Sequence, residues 1–248
     1  MPCQDFTTRR LFLEAALEPE TSVALDRTQA NYLLNVLRLG EGATVLVFNG
    51  RDGEWRARLA ADGRRSARLV LLERVRPQPE PPRLTYLFAP LKHARLDYVV
   101  QKAVEMGAGR IAPVMTRRTV ASRVNEERMR ANAVEAAEQC GVLHLPAIVP
   151  PRDLATALRE LDPDTLLVFC DEDASLADPV AALAAHRATA KGCALLIGPE
   201  GGFAEEERAA LLARPLTCRL ALGPRILRAD TAAVAALALV QAVLGDWR

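Results

Sequence analysis

Cysteine, histidine, lysine and long apolar runs are all scarce in this sequence, and each scarcity excludes something. The five cysteines, Cys3, Cys140, Cys170, Cys193 and Cys218, are scattered without a C-x-x-C pair. An odd, unpatterned set in a chain of 248 residues argues against a disulfide framework and for reduced thiols in a cytoplasm. Neither the cysteines nor the three histidines have metal-ligand spacing, so no metal is expected. The longest apolar stretch, Ala232–Leu239, reaches only Leu244 even when Gln241 is tolerated, which is too short to span a bilayer. The opening MPCQDFTTRR has no apolar core, so no secretory signal is expected and no membrane partner. Lysine is nearly absent, since 29 of the 32 basic residues are arginine.

Half of the residues are hydrophobic, enough to bury a substantial core as one large domain or two modest ones. Net charge is +1 but unevenly spread: residues 92–130 carry 9 basic and 4 acidic groups, whereas residues 131–248 carry 10 and 16. A basic middle beside an acidic remainder fits a polyanion docked on one face; it equally fits a solvated, arginine-rich surface. The clearest boundary is "VRPQPEPPR", residues 75–83, where four prolines exclude helix interior and central strand and imply a stiff linker.

Before that linker, residues 1–74 show three strand-like runs, 43–50, 54–61 and 67–75, punctuated by the turn pairs Asn49-Gly50, Asp52-Gly53 and Asp62-Gly63. With one helix ahead of them, "TQANYLLNVLRLG", they predict a small β-rich, barrel-like domain. From residue 84 to 248 strands and helices alternate. Apolar runs at 165–170, 193–198 and 218–223 read as strands buried on both faces, with helices at 179–190, 204–213 and 231–245. Asn125 and Asp153 are expected helix caps, as is Asp230 or Thr231. The second domain is therefore α/β with a mostly parallel sheet.

In such sheets ligands bind outside the carboxyl ends of strands, which selects Cys170–Asp173, Gly198–Phe203 and Gly223–Asp230. The second segment, "GPEGGF", matches neither GxGxxG nor GxxxxGK[ST]. It runs into Glu205, Glu206 and Glu207, and an acidic helix start repels a phosphate. Gly201 and Gly202 either let a neutral or cationic ligand approach the backbone or merely make a tight turn. In the third segment, "LGPRILRADTAAV", Arg225 and Arg228 are anion or RNA contacts, or one of them pairs with Glu200 or Asp230.

"LLIGPEGGFAEEE" followed by "LALGPRILRADTA" resembles the paired signature of the RsmE family, 16S ribosomal RNA uridine N3-methyltransferases of the SPOUT class. The resemblance extends to "VLRLGEGATVLVFNG", "QKAVEMGAGRIAPV" and "AAEQCG", and so covers nearly the whole chain. It implies a SPOUT α/β domain with a deep trefoil knot, preceded by a PUA-like RNA-binding β-barrel. It also implies a homodimer acting on 16S rRNA within the small ribosomal subunit, with S-adenosylmethionine as methyl donor. Three positions depart from the family pattern: Tyr32 for histidine, Val142 for arginine and Asp230 for glutamate.

On this resemblance the donor-binding residues are Ile197, Gly198, Gly201, Gly202, Leu222, Gly223, Ile226 and Leu227, with Leu222, Ile226 and Leu227 as the apolar wall. Uridine N3 is a poor nucleophile until its proton leaves, so a base or a cation stabilising the developing anion is needed. Arg228 is the candidate cation and Glu200 a candidate base, for which a water could substitute. Arg9, Arg10, Arg38, Arg117, Arg118 and Arg123 are the candidate RNA-backbone contacts, with surface solvation as the alternative for each. A non-catalytic RNA-binding or ribosome-assembly protein and a nucleotide-binding enzyme are the competing classes.

Overall fold

The computed structural model describes residue 5 and residues 7–63, 66–92, 94–121, 123–175 and 178–247; Cys3 lies outside them. The chain divides into two compact units, Met1–Glu80 with Ala137–Leu145, and Pro81–Ala136 with Pro146–Arg248. The sequence reading ends the first domain at residue 74 and leaves 137–145 in the second. The compact units differ from those bounds at two points: a strand continues through Val75 to Arg76, and residues 137–145 group with the first unit.

In the first unit, β1 (Arg10–Phe12), β2 (Ser22–Ala24), β3 (Thr44–Phe48), β4 (Glu54–Ala61) and β5 (Ala67–Arg76) form one sheet in the order β1-β3-β4-β5-β2. Among the described residues the hydrogen-bonded path runs from β1 at one end to β2 at the other. Register shifts in the β4–β5 pair, at Glu54/Trp55 and Arg56/Ala57, increase its twist. Strict alternation on β4 sends Trp55, Ala57 and Leu59 inward beside Leu69 and Leu71 of β5. The expected helix is a short α1 (Arg27–Asn31), opened by an Asp26/Gln29 capping box, that continues as a π-helical turn, Tyr32–Val36. Arg38 follows with φ +55°, a left-handed conformation uncommon outside glycine.

In the second unit, the strands β6 (Leu84–Phe88), β7 (Arg110–Met115), β8 (Ala147–Ile148), β10 (Thr165–Cys170), β11 (Gly192–Ile197) and β12 (Thr217–Leu220) run in the order β12-β10-β11-β6-β7-β8, and β9 (Arg152–Asp153) also pairs with β7. Every pairing is parallel. The apolar runs occupy its centre: Leu166 to Phe169 and Ala194 to Leu196 have no exposed surface.

Helices α2 (Ala94–Glu105), α3 (Glu126–Cys140), α4 (Leu154–Arg159), α5 (Pro179–Ala184), α6 (Glu205–Leu212) and α7 (Ala229–Val243) connect and follow the strands. The apolar stripe of α2, Leu96, Val99, Val100, Ala103 and Val104, is buried as its spacing predicts. Asn125 and Asp153 cap α3 and α4. The expected helix at 179–190 is only six residues long. The expected cap of α7 is also displaced. Arg228 occupies the N-cap position, while Asp230 lies within the first turn and accepts from the Thr231 amide at 2.9 Å. Among the described residues no helix is long and apolar enough to cross a membrane, and no group of acidic, histidine or cysteine side chains could hold a metal.

Candidate active site

The three strand ends singled out by the sequence meet in one pocket of about 290 Å³. Cys170, Asp171, Glu172 and Ala174 supply one side, after β10; Ile197 to Glu200, Gly202 and Phe203 follow β11; Leu220 to Leu227 follow β12. Neighbouring parallel strands β11, β10 and β12 end level with one another, because Cys170 pairs with both Ile197 and Leu220. That register brings segments 20 or more residues apart to one crevice.

The glycine loop is a tight turn closed by the Gly202 amide on the Pro199 carbonyl at 2.9 Å. Gly202 has φ +69°, and a Cβ there would collide with Oε1 of Glu172. A Cβ on Gly198 would meet the Phe203 ring at 2.8 Å, and that ring is buried edge-on against Phe169 with centroids 6.0 Å apart. Gly201 lacks both constraints: its carbonyl accepts from Nη1 of Arg118 at 2.7 Å, and it does not line the pocket. The other expected donor-site residues, Ile197, Gly198, Gly202, Leu222, Gly223, Ile226 and Leu227, do line it. Ile226 is a rim residue, its side chain 96% exposed, so it forms no enclosed apolar wall; Leu222 and Leu227 are half-buried.

The acidic helix start has specific partners. Glu207 accepts from the Ala204 amide at 2.9 Å and from the Arg117 amide at 2.8 Å, and Glu206 pairs with the Arg117 guanidinium at 3.1 Å. With the Arg118–Gly201 contact, the segment leaving β7 is tied to the glycine loop. Glu200 pairs with Arg95 of α2 at 2.5 Å, and the same Arg95 approaches Asp230 at 3.9 Å. Arg225 and Arg228 therefore do not hold Glu200 or Asp230. Both are exposed and, among the described residues, neither makes an ion pair; Arg225 lines the pocket and Arg228 stands just beyond it.

Sequence reasoning missed the most buried charge in the site. The Asp171 side chain is 2% exposed and accepts from Arg208 at 2.8 and 3.2 Å and from Arg219 at 2.9 Å. Burial pushes its carboxyl up, but the Arg208 and Asp173 hydrogen bonds and the two guanidinium charges outweigh it and hold the carboxyl below its ordinary value. Arg208 also reaches Asp173 at 2.7 Å. Asp171 thus joins the helix after the glycine loop to the strand before the second loop. Nearby, burial pushes the Cys170 thiol up to about 12, so it is no nucleophile.

Of the arginines expected to contact RNA, Arg9, Arg38, Arg117, Arg118 and Arg123 are exposed. Arg10 is not, and the structure removes it from the set. It is 6% exposed, pairs with buried Glu54 at 2.8 Å and donates to the Asp5 carbonyl. Arg76 completes the arrangement, binding Glu54 at 2.6 Å and the Gly141 carbonyl at 2.9 Å, which holds residue 141 within the first unit.

Comparison with known proteins agrees with this architecture. A family model described as an RNA methyltransferase domain matches residues 78–241, and one described as an RNA methyltransferase PUA domain matches residues 25–72. Proteins named ribosomal RNA small subunit methyltransferase E are similar over most of their length. The one from Synechocystis is 33% identical over 91% of this chain and 74% of its own; the one from Rickettsia conorii is 28% identical over 94% of each. A crystal structure of the protein of that name from Neisseria gonorrhoeae, bound to S-adenosyl methionine, superposes with a TM-score of 0.85. It is 26% identical and covers 97% of this chain and 100% of its own.

Proposed function

The chain belongs to the RNA methyltransferase family that includes ribosomal RNA small subunit methyltransferase E, and we propose that it transfers a methyl group from S-adenosylmethionine to N3 of one uridine in 16S rRNA. The observation that carries this reading is the pocket itself, a crevice at three strand ends lined by glycine, proline and aliphatic residues, with an acidic helix start and no phosphate fingerprint. Such a lining suits a donor without phosphate. The donor supplies an activated methyl on a sulfonium, so the protein's task is to orient donor and acceptor.

Gly198, Gly202, Gly223, Ile197, Leu222 and Leu227, with Ile226 at the rim, hold the donor, and Gly201 acts from outside by fixing the loop to Arg118. Arg228 stabilises the uracil oxygens as N3 loses its proton: it is exposed, without an ion pair among the described residues, and one residue from the pocket-lining Leu227 and Ala229. Glu200 is the weaker candidate for base because Arg95 already occupies its carboxylate. Arg9, Arg38, Arg117, Arg118 and Arg123 meet the RNA backbone, and the target uridine is single-stranded or splayed out. The reading carries with it a trefoil knot in the second unit. The working form is a cytoplasmic homodimer acting on the small subunit.

A labelled methyl-transfer assay on small subunits and on naked 16S rRNA tests the reading. Arg228→Ala is expected to lower transfer more than about tenfold, the low end of what a lost transition-state contact costs, while donor affinity is largely kept. Near-normal turnover would remove Arg228 from the reaction. Tight binding of rRNA without transfer to either substrate would leave a non-catalytic RNA-binding protein.

A further inference from the structure

The glycine loop after β11 and the loop after β12 both line the pocket, yet they leave strands that are not neighbours, because β10 lies between them. At about 4.8 Å per strand pairing, β11 and β12 stand about 10 Å apart, and the ladder joins them only through β10. A ligand gripped from both loops needs that gap held at one width.

Asp171 stands where the gap is crossed. It is the first residue past β10, and its amide donates to the Leu220 carbonyl at the end of β12 at 3.1 Å. Its Oδ2 accepts from Nε of Arg208 at 2.8 Å and from Nε of Arg219 at 2.9 Å, so one oxygen joins both guanidinium groups. Its Oδ1 accepts from Nη2 of Arg208 at 3.2 Å and from the Asp173 amide at 3.3 Å. Arg208 belongs to α6, the helix that the glycine loop runs into, and Arg219 to β12, just ahead of the second loop. With both oxygens engaged and the side chain 2% exposed, the carboxylate is not free to meet a ligand and acts through the two arginines. Asp173 also pairs with Arg208, at 2.7 Å, but from an exposed position, where ion pairs hold weakly.

We propose that Asp171 is a positioning residue for methyl transfer: by holding Arg208 and Arg219 together it fixes the spacing of the glycine loop and the loop after β12, and with it the grip on the donor. This rests on the donor-site reading above and assigns the width of that pocket to a side chain that does not itself touch the donor.

Calorimetric titration with S-adenosylhomocysteine, the donor without its methyl, tests this well below the unfolding midpoint. Arg208→Gln and Arg219→Gln each remove one arm and are each expected to weaken binding about tenfold or more, as misplaced contacts do. The double variant should lie within about twofold of the single ones, because a carboxylate with one arm no longer spans the gap. Asp171→Asn, where circular dichroism shows it folded, should match the double variant. Glu54→Gln breaks a buried charge cluster in the first unit and should keep affinity within about twofold, so lost stability alone does not imitate the effect. Unchanged affinity in both single arginine variants overturns the proposal and leaves Asp171 a stabilising residue only. Losses that add in the double variant overturn it as well, since the arms then act independently of the shared carboxylate, and so does an equal loss in Glu54→Gln. Wild-type protein that does not bind the probe overturns the donor-site reading and the proposal with it.

Discussion

Alanine at Gly202 should damage this protein where alanine one residue earlier should not. Gly202 has φ +69°, and a left-handed alanine costs about 1–2 kcal/mol. The new Cβ also takes the space of Glu172 Oε1, which must rotate away from the turn. At Gly201 the backbone is not left-handed, and a Cβ would sit 3.6 Å from Cδ and 3.7 Å from Cβ of Arg118, ordinary contact distances. There alanine's smaller unfolded-state entropy stabilises by about 0.4–1 kcal/mol. With about 2–4 °C per kcal/mol for a unit of this size, Gly202→Ala should lower the thermal midpoint by about 2–8 °C and Gly201→Ala should leave it level or slightly raised. Scanning calorimetry reads both midpoints, and titration with S-adenosylhomocysteine should show affinity lost only in Gly202→Ala. Equal effects of the two alanines, on midpoint or affinity, would refute the claim that φ and the Glu172 carboxylate require glycine at 202.

The remaining predictions concern buried charge. Asp171→Asn leaves two guanidinium groups without their shared carboxylate and should cost about 3–5 kcal/mol, read by urea unfolding. Because the folded carboxyl lies below its ordinary 3.8, its stabilisation is present above that pH and disappears as pH falls through the folded value; the asparagine variant should lack that part of the acid slope. In the first unit, Glu54→Gln strands Arg10 and Arg76 in the same way and should destabilise by a similar amount, about 3–5 kcal/mol, whereas Glu73→Gln, which breaks an exposed pair with Arg56, should change stability by under about 1 kcal/mol.

What the sequence revealed and what it hid divide along one physical line. The longer strands, most helices and the three candidate strand ends are local matters of apolar runs, turn glycines and caps, and they were legible, whereas the two- and three-residue strands β1, β2, β8 and β9 were not. The Asp171 clamp was not, because Arg208 and Arg219 lie 37 and 48 residues away and nothing local marks the three as partners. Arg10 was misread for the same reason: beside Arg9 it looks like surface, and its partner Glu54 is 44 residues on. The first unit's claim on residues 137–145 depends on contacts such as Arg76 with the Gly141 carbonyl, again far apart in sequence. Glycine requirements mix the two cases. A turn is visible in "GPEGGF", but which of its glycines cannot carry a side chain depends on Glu172, Phe203 and Arg118, all brought there by the fold.

The three glutamates after that turn make sense on the same terms. At a helix start they complement the dipole, and Glu207 accepts from the Ala204 amide at the N-cap. Glu206 and Glu207 also engage Arg117, while Arg118 holds the Gly201 carbonyl, so the basic segment leaving β7 is fastened to the outside of the loop whose inner face lines the pocket. The Arg117–Glu206 pair is two-thirds exposed on each side, and such pairs hold with no more than about 1 kcal/mol. A phosphate reaching Arg117 therefore displaces Glu206 at little cost, and one reaching Arg118 competes with a single carbonyl. Under the proposed function, RNA-backbone contacts at Arg117 and Arg118 would act directly on the loop proposed to hold the donor, because these two arginines brace the glycine turn.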